Sequence, residues 1–126
     1  MNLNIAIVEI DCTDARLVAE FWAAAFRTTV ELEVELRDGP FIMLTPPGEG
    51  QPRLGFHQVP EPRPAGKNRV HIDLGGGAGY AAEIARLVGL GARVIEERHN
   101  ADHDLTWTVL ADPEGNEFCI PDVEPE

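Results

Sequence analysis

The stretch NRVHIDL, residues 68–74, decides the fold. Val70, Ile72 and Leu74 alternate with His71 and Asp73, the period of two that gives a strand one apolar and one polar face. The stretch has a counterpart earlier in the chain. A shift of 62 positions lays VHID (70–73) over VEID (8–11), and the same shift lays EFC (117–119) over GFH (55–57). With a one-residue gap, Ala82-Glu83 falls on Ala19-Glu20. A repeat of half the chain means two similar modules packed together.

Each module reads in the same order. NIAIVEIDC is a strand with Ala6, Val8, Ile10 and Cys12 on one side and Ile7, Glu9 and Asp11 on the other. TDARLVAEFWAAAF is a helix capped by Thr13 or Asp14, with an apolar stripe of Leu17, Val18, Phe21, Trp22 and Ala25. TVELEVELRD is a strand with Leu32, Val34 and Leu36 inward and Glu31, Glu33 and Glu35 on a solvent-facing surface. PFIMLTP and RLGFHQV are further strands, and PEPRPAGKN, with three prolines, is a connector. After NRVHIDL come a helix from about Ala78 to Leu90 closed by Gly91, strands ARVIEERH and LTWTVLAD, the tight turn DPEGN, and the final strand EFCI.

The fold class expected is therefore α+β, with two βαβββ modules in one domain spanning 1–126: module one about 1–59, connector 60–68, module two 69–126. One helix per four-stranded sheet buries too little core for a module alone, whereas two modules together suffice.

Composition narrows the function classes. Hydrophobic residues make up 44% and charged residues 25%, ordinary values for a soluble globular protein. A net charge of −12 with ten Lys and Arg argues against nucleic acid as a partner. No apolar run reaches membrane-spanning length and the first residues lack the pattern of a signal peptide, so a cytoplasmic protein with no membrane partner is expected. Two cysteines, Cys12 and Cys119, do not make a disulfide framework.

Paired βαβββ modules, VHIDL opening the second, LGA after its helix and DPEGNEF near the end resemble the vicinal oxygen chelate superfamily, which includes glyoxalase I, bleomycin-resistance proteins and extradiol dioxygenases. The match is nearest to small glyoxalase-like proteins, through FW in the first helix and KNRVHIDL at the module junction. The resemblance covers essentially the whole chain. It implies curved mixed sheets around a shared cleft, with helices outside. It does not fix a reaction, because the scaffold hosts enzymes and binders alike.

The resemblance also implies metal ligands on the first and last strands of each module. His71 matches the opening position of module two. The last-strand position, usually G-N-x-x-E, runs here from Gly115-Asn116-Glu117-Phe118 to Cys119, a thiol in place of a carboxylate. The 62-residue shift pairs Cys119 with His57 and His71 with Glu9, giving Glu9, His57, His71 and Cys119 as the metal set. An alignment anchored on the first helix puts Ile7 in place of Glu9, and the two share a strand face. Imidazole and thiolate suit Zn²⁺, and the cofactor expected is a divalent Zn, Ni, Mn or Fe ion. The alternative is a metal-free pocket lined by the same residues.

Glu9 and His71 are the catalytic candidates: both would hold a metal that polarises a substrate oxygen, or alternatively Glu9 would act as general base. Ile7, Phe56, Asp73 and Trp107 are the substrate-binding candidates. Trp107, on one face with Leu105 and Val109, either stacks on an aromatic ligand or anchors the core. His99, Asp102, His103 and Asp104 form a solvated polar loop, and GGGAG (75–79) lacks the Lys and Ser/Thr of a phosphate-binding loop. Two functions fit. One is a glyoxalase-like enzyme performing metal-assisted lyase or isomerase chemistry. The other is a non-catalytic protein that sequesters an antibiotic or aromatic metabolite. Either takes a small-molecule ligand, aromatic or cationic, and a homodimer is the expected assembly.

Overall fold

The computed structural model describes residues 1–123, so the last three residues of the expected second module lie outside the described residues. The chain divides into two compact units, Met1–Arg63 and a second from Pro64 onward, with the boundary inside the proline-rich connector.

The first unit contains β1 (Ile7–Cys12), α1 (Ala15–Phe26), β2 (Val30–Leu36), β3 (Gly39–Leu44) and β4 (Arg53–Gln58). Its sheet runs β1-β4-β3-β2, with β1 and β4 parallel and the other pairs antiparallel. Register partners share a face. Leu54, Phe56, Ile42 and Leu44 therefore lie on the side that α1 covers, and each is at most 6% exposed. Ile7, Glu9, Asp11, His57, Phe41 and Met43 occupy the opposite, open face.

Helix α1 starts where Asp14 accepts a hydrogen bond from the Leu17 amide at 3.1 Å, satisfying an orphan donor of the first turn. It ends at Arg27, which takes a left-handed conformation at φ 54. Val18, Phe21, Trp22 and Ala25 are buried as expected, together with Ala15 and Ala19. Leu17 is a correction: it is 45% exposed, because the stripe turns toward the alanines that let the helix approach the sheet closely. Trp22 packs edge-on against Phe21 and stacks on Phe26.

Strand β2 corrects a second expectation. Leu32, Val34 and Leu36 do not point into the helix-covered core. They stand 39–46% exposed, and Leu32 and Val34 pair with Met43 and Phe41 of the open face. Glu33 is on the helix side, where it pairs with Arg16 of α1 at 2.9 Å. A register shift between Val30 and Leu32 takes Glu31 out of the alternation, and Glu31 pairs with Arg53 instead, at 2.6 Å.

The second unit contains β5 (Ile72–Asp73), α2 (Tyr80–Leu90), β6 (Arg93–Asn100), β7 (Leu105–Ala111) and β8 (Glu117–Pro121). Its sheet runs β5-β8-β7-β6, repeating the first, with β5 and β8 parallel. Only two residues of NRVHIDL are in the ladder, and Val70 is 80% exposed, so the expected strand is much shortened. Helix α2 begins two residues later than expected, because Gly77 at φ 68 and Gly79 at φ 108 hold conformations outside the helical region.

Leu87 is the buried apolar residue of α2. A polar contact adds to it: the Tyr80 hydroxyl meets that of Thr108, which is 3% exposed and would otherwise be a buried polar orphan. The DPEGN turn closes on Asp112, also 3% exposed. Its Oδ1 accepts from the amides of Glu114 at 3.0 Å and Asn116 at 2.9 Å, and its Oδ2 from Asn116 Nδ2 at 3.0 Å.

Candidate metal centre

In the second unit Asp73 and Cys119 are register partners across β5 and β8, and Val109 is the partner of Cys119 across β7. This row lies on the face that corresponds to the first sheet's open face, although Val109 and Cys119 are themselves buried at 2% and 4% exposure, while Phe118 and Ile120 point into the core at 0% and 6%. His71 precedes Asp73 by two residues and so shares its face. The donor atoms of His71, Asp73 and Cys119 lie within 4.8 Å of one another, the one such gathering of three among the described residues. His71 Nε2 is 3.5 Å from Asp73 Oδ1. Cys119 is buried beneath the pair at 4% exposure.

The trio's chemistry suits a divalent ion. Burial pushes the Cys119 thiol above its ordinary range, and the negative charges of Asp73 and Glu117 add to the effect against the opposing pull of Lys67 and Arg98. Without a cation the thiol is therefore held neutral. A divalent ion would reverse that balance and stabilise the thiolate. One nitrogen, one oxygen and one sulfur donor match the ligand types of zinc, and a zinc held by these three would remain accessible to a substrate oxygen.

Of the expected metal set, His71 and Cys119 are brought together, and Asp73 joins them although its expected role was substrate contact. Glu9 and His57 belong to the first unit. There Glu9 is exposed on the open face and His57 Nδ1 is 3.7 Å from Asp11 Oδ1. The registers bear on the choice between Ile7 and Glu9. Asp11 pairs with His57 as Asp73 pairs with Cys119, which makes Glu9 the counterpart of His71. Ile7, two residues earlier, is 42% exposed on the same face.

Phe56 requires a correction as a substrate contact. It is 0% exposed and pairs with Ile42 and Ile10 on the helix-covered side, one residue out of phase with the open face. Trp107 is half-buried on the open face of the second sheet, partnered by Pro121 and Arg98. Sequence reasoning passed over Arg98, which bonds Glu96 through Nε at 2.8 Å beside Trp107. It also passed over Asp73 as a candidate ligand. The signal was available in the aspartate shared by VEID and VHID, set beside the last strand in both modules. The histidine loop is local: His99 Nδ1 meets Thr106 Oγ1 at 2.8 Å, and the His103 amide donates to Asn100 Oδ1 at 3.2 Å.

A family model for the glyoxalase-like domain matches residues 7–121. A search of curated proteins gives no match. Among solved structures the chain is similar to UcmS2, at 18% identity and a TM-score of 0.70, covering 98% of this chain and 100% of that one. It is also similar to FosX, a fosfomycin resistance protein from Listeria monocytogenes, at 10% identity and a TM-score of 0.74, covering 98% and 96%. A glyoxalase/bleomycin resistance protein/dioxygenase family enzyme from Burkholderia phytofirmans PsJN is similar at 21% identity and a TM-score of 0.63, covering 97% and 100%. At these identities the likeness shows the fold alone. No helix among the described residues is long and apolar enough to cross a membrane.

Proposed function

The chain belongs to the glyoxalase-like domain family, within the vicinal oxygen chelate superfamily, and from that membership we propose that it is a small-molecule enzyme performing metal-assisted lyase or isomerase chemistry. The observation that carries this reading is the gathering of the donor atoms of His71, Asp73 and Cys119 within 4.8 Å of one another. The three side chains would hold a divalent ion. When bound, the ion supplies Lewis acidity toward a substrate oxygen. Asp73 contributes negative charge beside the imidazole, its Oδ1 3.5 Å from His71 Nε2. Trp107 offers an aromatic wall on the same face, and Arg98 beside it offers a cation to a polar substrate group. Glu9, the exposed carboxylate that matches His71 in the repeat, stands on the sheet of the first unit.

The test is turnover of small molecules bearing two neighbouring oxygens by Zn²⁺-, Ni²⁺- and Mn²⁺-loaded protein, before and after chelation. The expected result is turnover lost on chelation and restored by one of the ions. Turnover that is indifferent to chelation contradicts the proposal.

One observation favours a second reading, a binding protein without chemistry. Ile7, Leu32, Val34 and Leu36 are each 39–46% exposed, and with Phe41 and Met43 they give the first sheet an apolar open face. Such a surface suits an aromatic ligand held for sequestration. Stabilisation of the chelated protein by aromatic metabolites, with no product formed, would favour this reading.

A further inference from the structure

The strand that carries His71 is barely a strand. In the first unit β1 pairs with β4 through six residues, Ile7 to Cys12. In the second, β5 pairs with β8 through Ile72 and Asp73 alone. Beyond Asp73, the Leu74 amide donates to the Cys119 carbonyl at 2.8 Å, which fixes the segment on its C-terminal side. On the N-terminal side another device does so. Glu117, two residues before Cys119 on the open face, accepts through Oε1 from Lys67 Nζ at 2.9 Å and from the Asn68 amide at 3.0 Å. The Glu117 amide in turn donates to Asn68 Oδ1 at 3.3 Å. The Glu117 side chain is 12% exposed, so the ion pair is partly shielded from water.

The first unit shows that the βαβββ module does not itself require this clamp. The counterpart of Glu117 there is Gly55, the register partner of Glu9. A Cβ at Gly55 would lie 3.2 Å from both Glu9 Cγ and the Phe41 ring. The long ladder of β1 holds that unit's strand without any side chain at this position.

We propose that Glu117 is a positioning residue: its carboxylate ties residues 67–68 to the start of β8 and thereby sets His71 against Asp73 and Cys119. The inference rests on the trio being a metal site. Glu117 acts through the backbone that leads to His71 and is not itself a ligand. Partners that orient first ligands typically change metal affinity by about 10–100-fold.

The experiment uses the full chain with Zn²⁺ and Co²⁺ as probes, comparing wild type with Glu117→Ala, Glu117→Gln and Lys67→Met. Amide hydrogen exchange at residues 69–74 is followed in the metal-free proteins, with β6 and β7 as internal references. In Glu117→Ala, exchange at 69–74 should rise while the references hold, and zinc should bind about 10–100-fold more weakly. Its Co²⁺ spectrum should also change. Glu117→Gln keeps an oxygen acceptor for the Asn68 amide and should recover most of the affinity. Lys67→Met should lose less than Glu117→Ala. Unchanged exchange at 69–74 in Glu117→Ala overturns the clamp, whatever the metal does. Raised exchange with unchanged zinc affinity overturns its link to His71. Wild-type protein that binds neither ion removes the metal reading, and the positioning role with it.

Discussion

Asp73 faces Cys119 across β5 and β8 in the register in which Asp11 faces His57 across β1 and β4, each member displaced by 62 residues from its counterpart. The two units thus repeat a geometry with different donors. The second surrounds its aspartate with a thiol and an imidazole; the first has a single imidazole beside its aspartate and a carboxylate at Glu9. The assignment of metal chemistry to His71, Asp73 and Cys119 follows from that difference, since a soft donor and a nitrogen donor appear together only in the second set.

The neutral Cys119 thiol makes stability depend on pH. Its pKa in the folded chain is raised above the unfolded value by burial, with Asp73 next in effect. Folding therefore favours the protonated form. The contribution is fully present below the unfolded thiol pKa, about 8.5, and is lost as pH rises through the higher folded value. In chelated protein, urea unfolding midpoints should fall from about pH 8.5 upward, and Cys119→Ala should flatten that fall. An equally steep decline in Cys119→Ala would assign the effect elsewhere.

Phe56 and Trp107 should separate stability from ligand binding. Phe56→Ala empties a fully buried site under α1 and should destabilise by about 3–5 kcal/mol. Trp107→Ala removes a half-buried ring from the open face and should destabilise less while weakening an aromatic ligand more. Unfolding curves and ligand titrations on both variants measure the two effects. Comparable losses of ligand affinity in both would place Phe56 back at the site.

Asp112 holds the DPEGN turn through its side chain. Its replacement by alanine leaves the Glu114 and Asn116 amides without their acceptor in a partly buried turn. Asp112→Ala should destabilise by about 2–3 kcal/mol, read from urea midpoints. Because β8 follows this turn and carries Cys119, metal affinity should fall as well. A variant as stable as wild type would contradict the assignment.

Much of the fold was legible because alternation and repetition are local signals. The 62-residue shift located both modules, and the registers of β1–β4 and β5–β8 reproduce it residue by residue. Side of burial was less legible. VELEVEL alternates cleanly, yet periodicity does not say which face a helix covers, and here Glu33 took the helix side with Arg16 as its partner. Phe56 was misplaced through the same ambiguity, since it is one position out of phase with His57. Asp73 was placed on the face of His71 and expected at the substrate, and its carboxylate lies with the donor atoms of His71 and Cys119. The Glu117 clamp was not legible at all, because it joins residues 50 positions apart that no periodicity links.

His71, Asp73 and Cys119 are proposed to form one metal site. This is tested most directly by the zinc content of protein equilibrated with Zn²⁺ and freed of excess, for wild type, His71→Ala, Asp73→Asn and Cys119→Ser. One zinc per wild-type chain is expected, with roughly 100-fold or greater loss of affinity in His71→Ala and Cys119→Ser, above the range for outer partners. Asp73→Asn should show a clear but smaller loss. Wild-type protein without zinc, or zinc retained equally in all three variants, would contradict it.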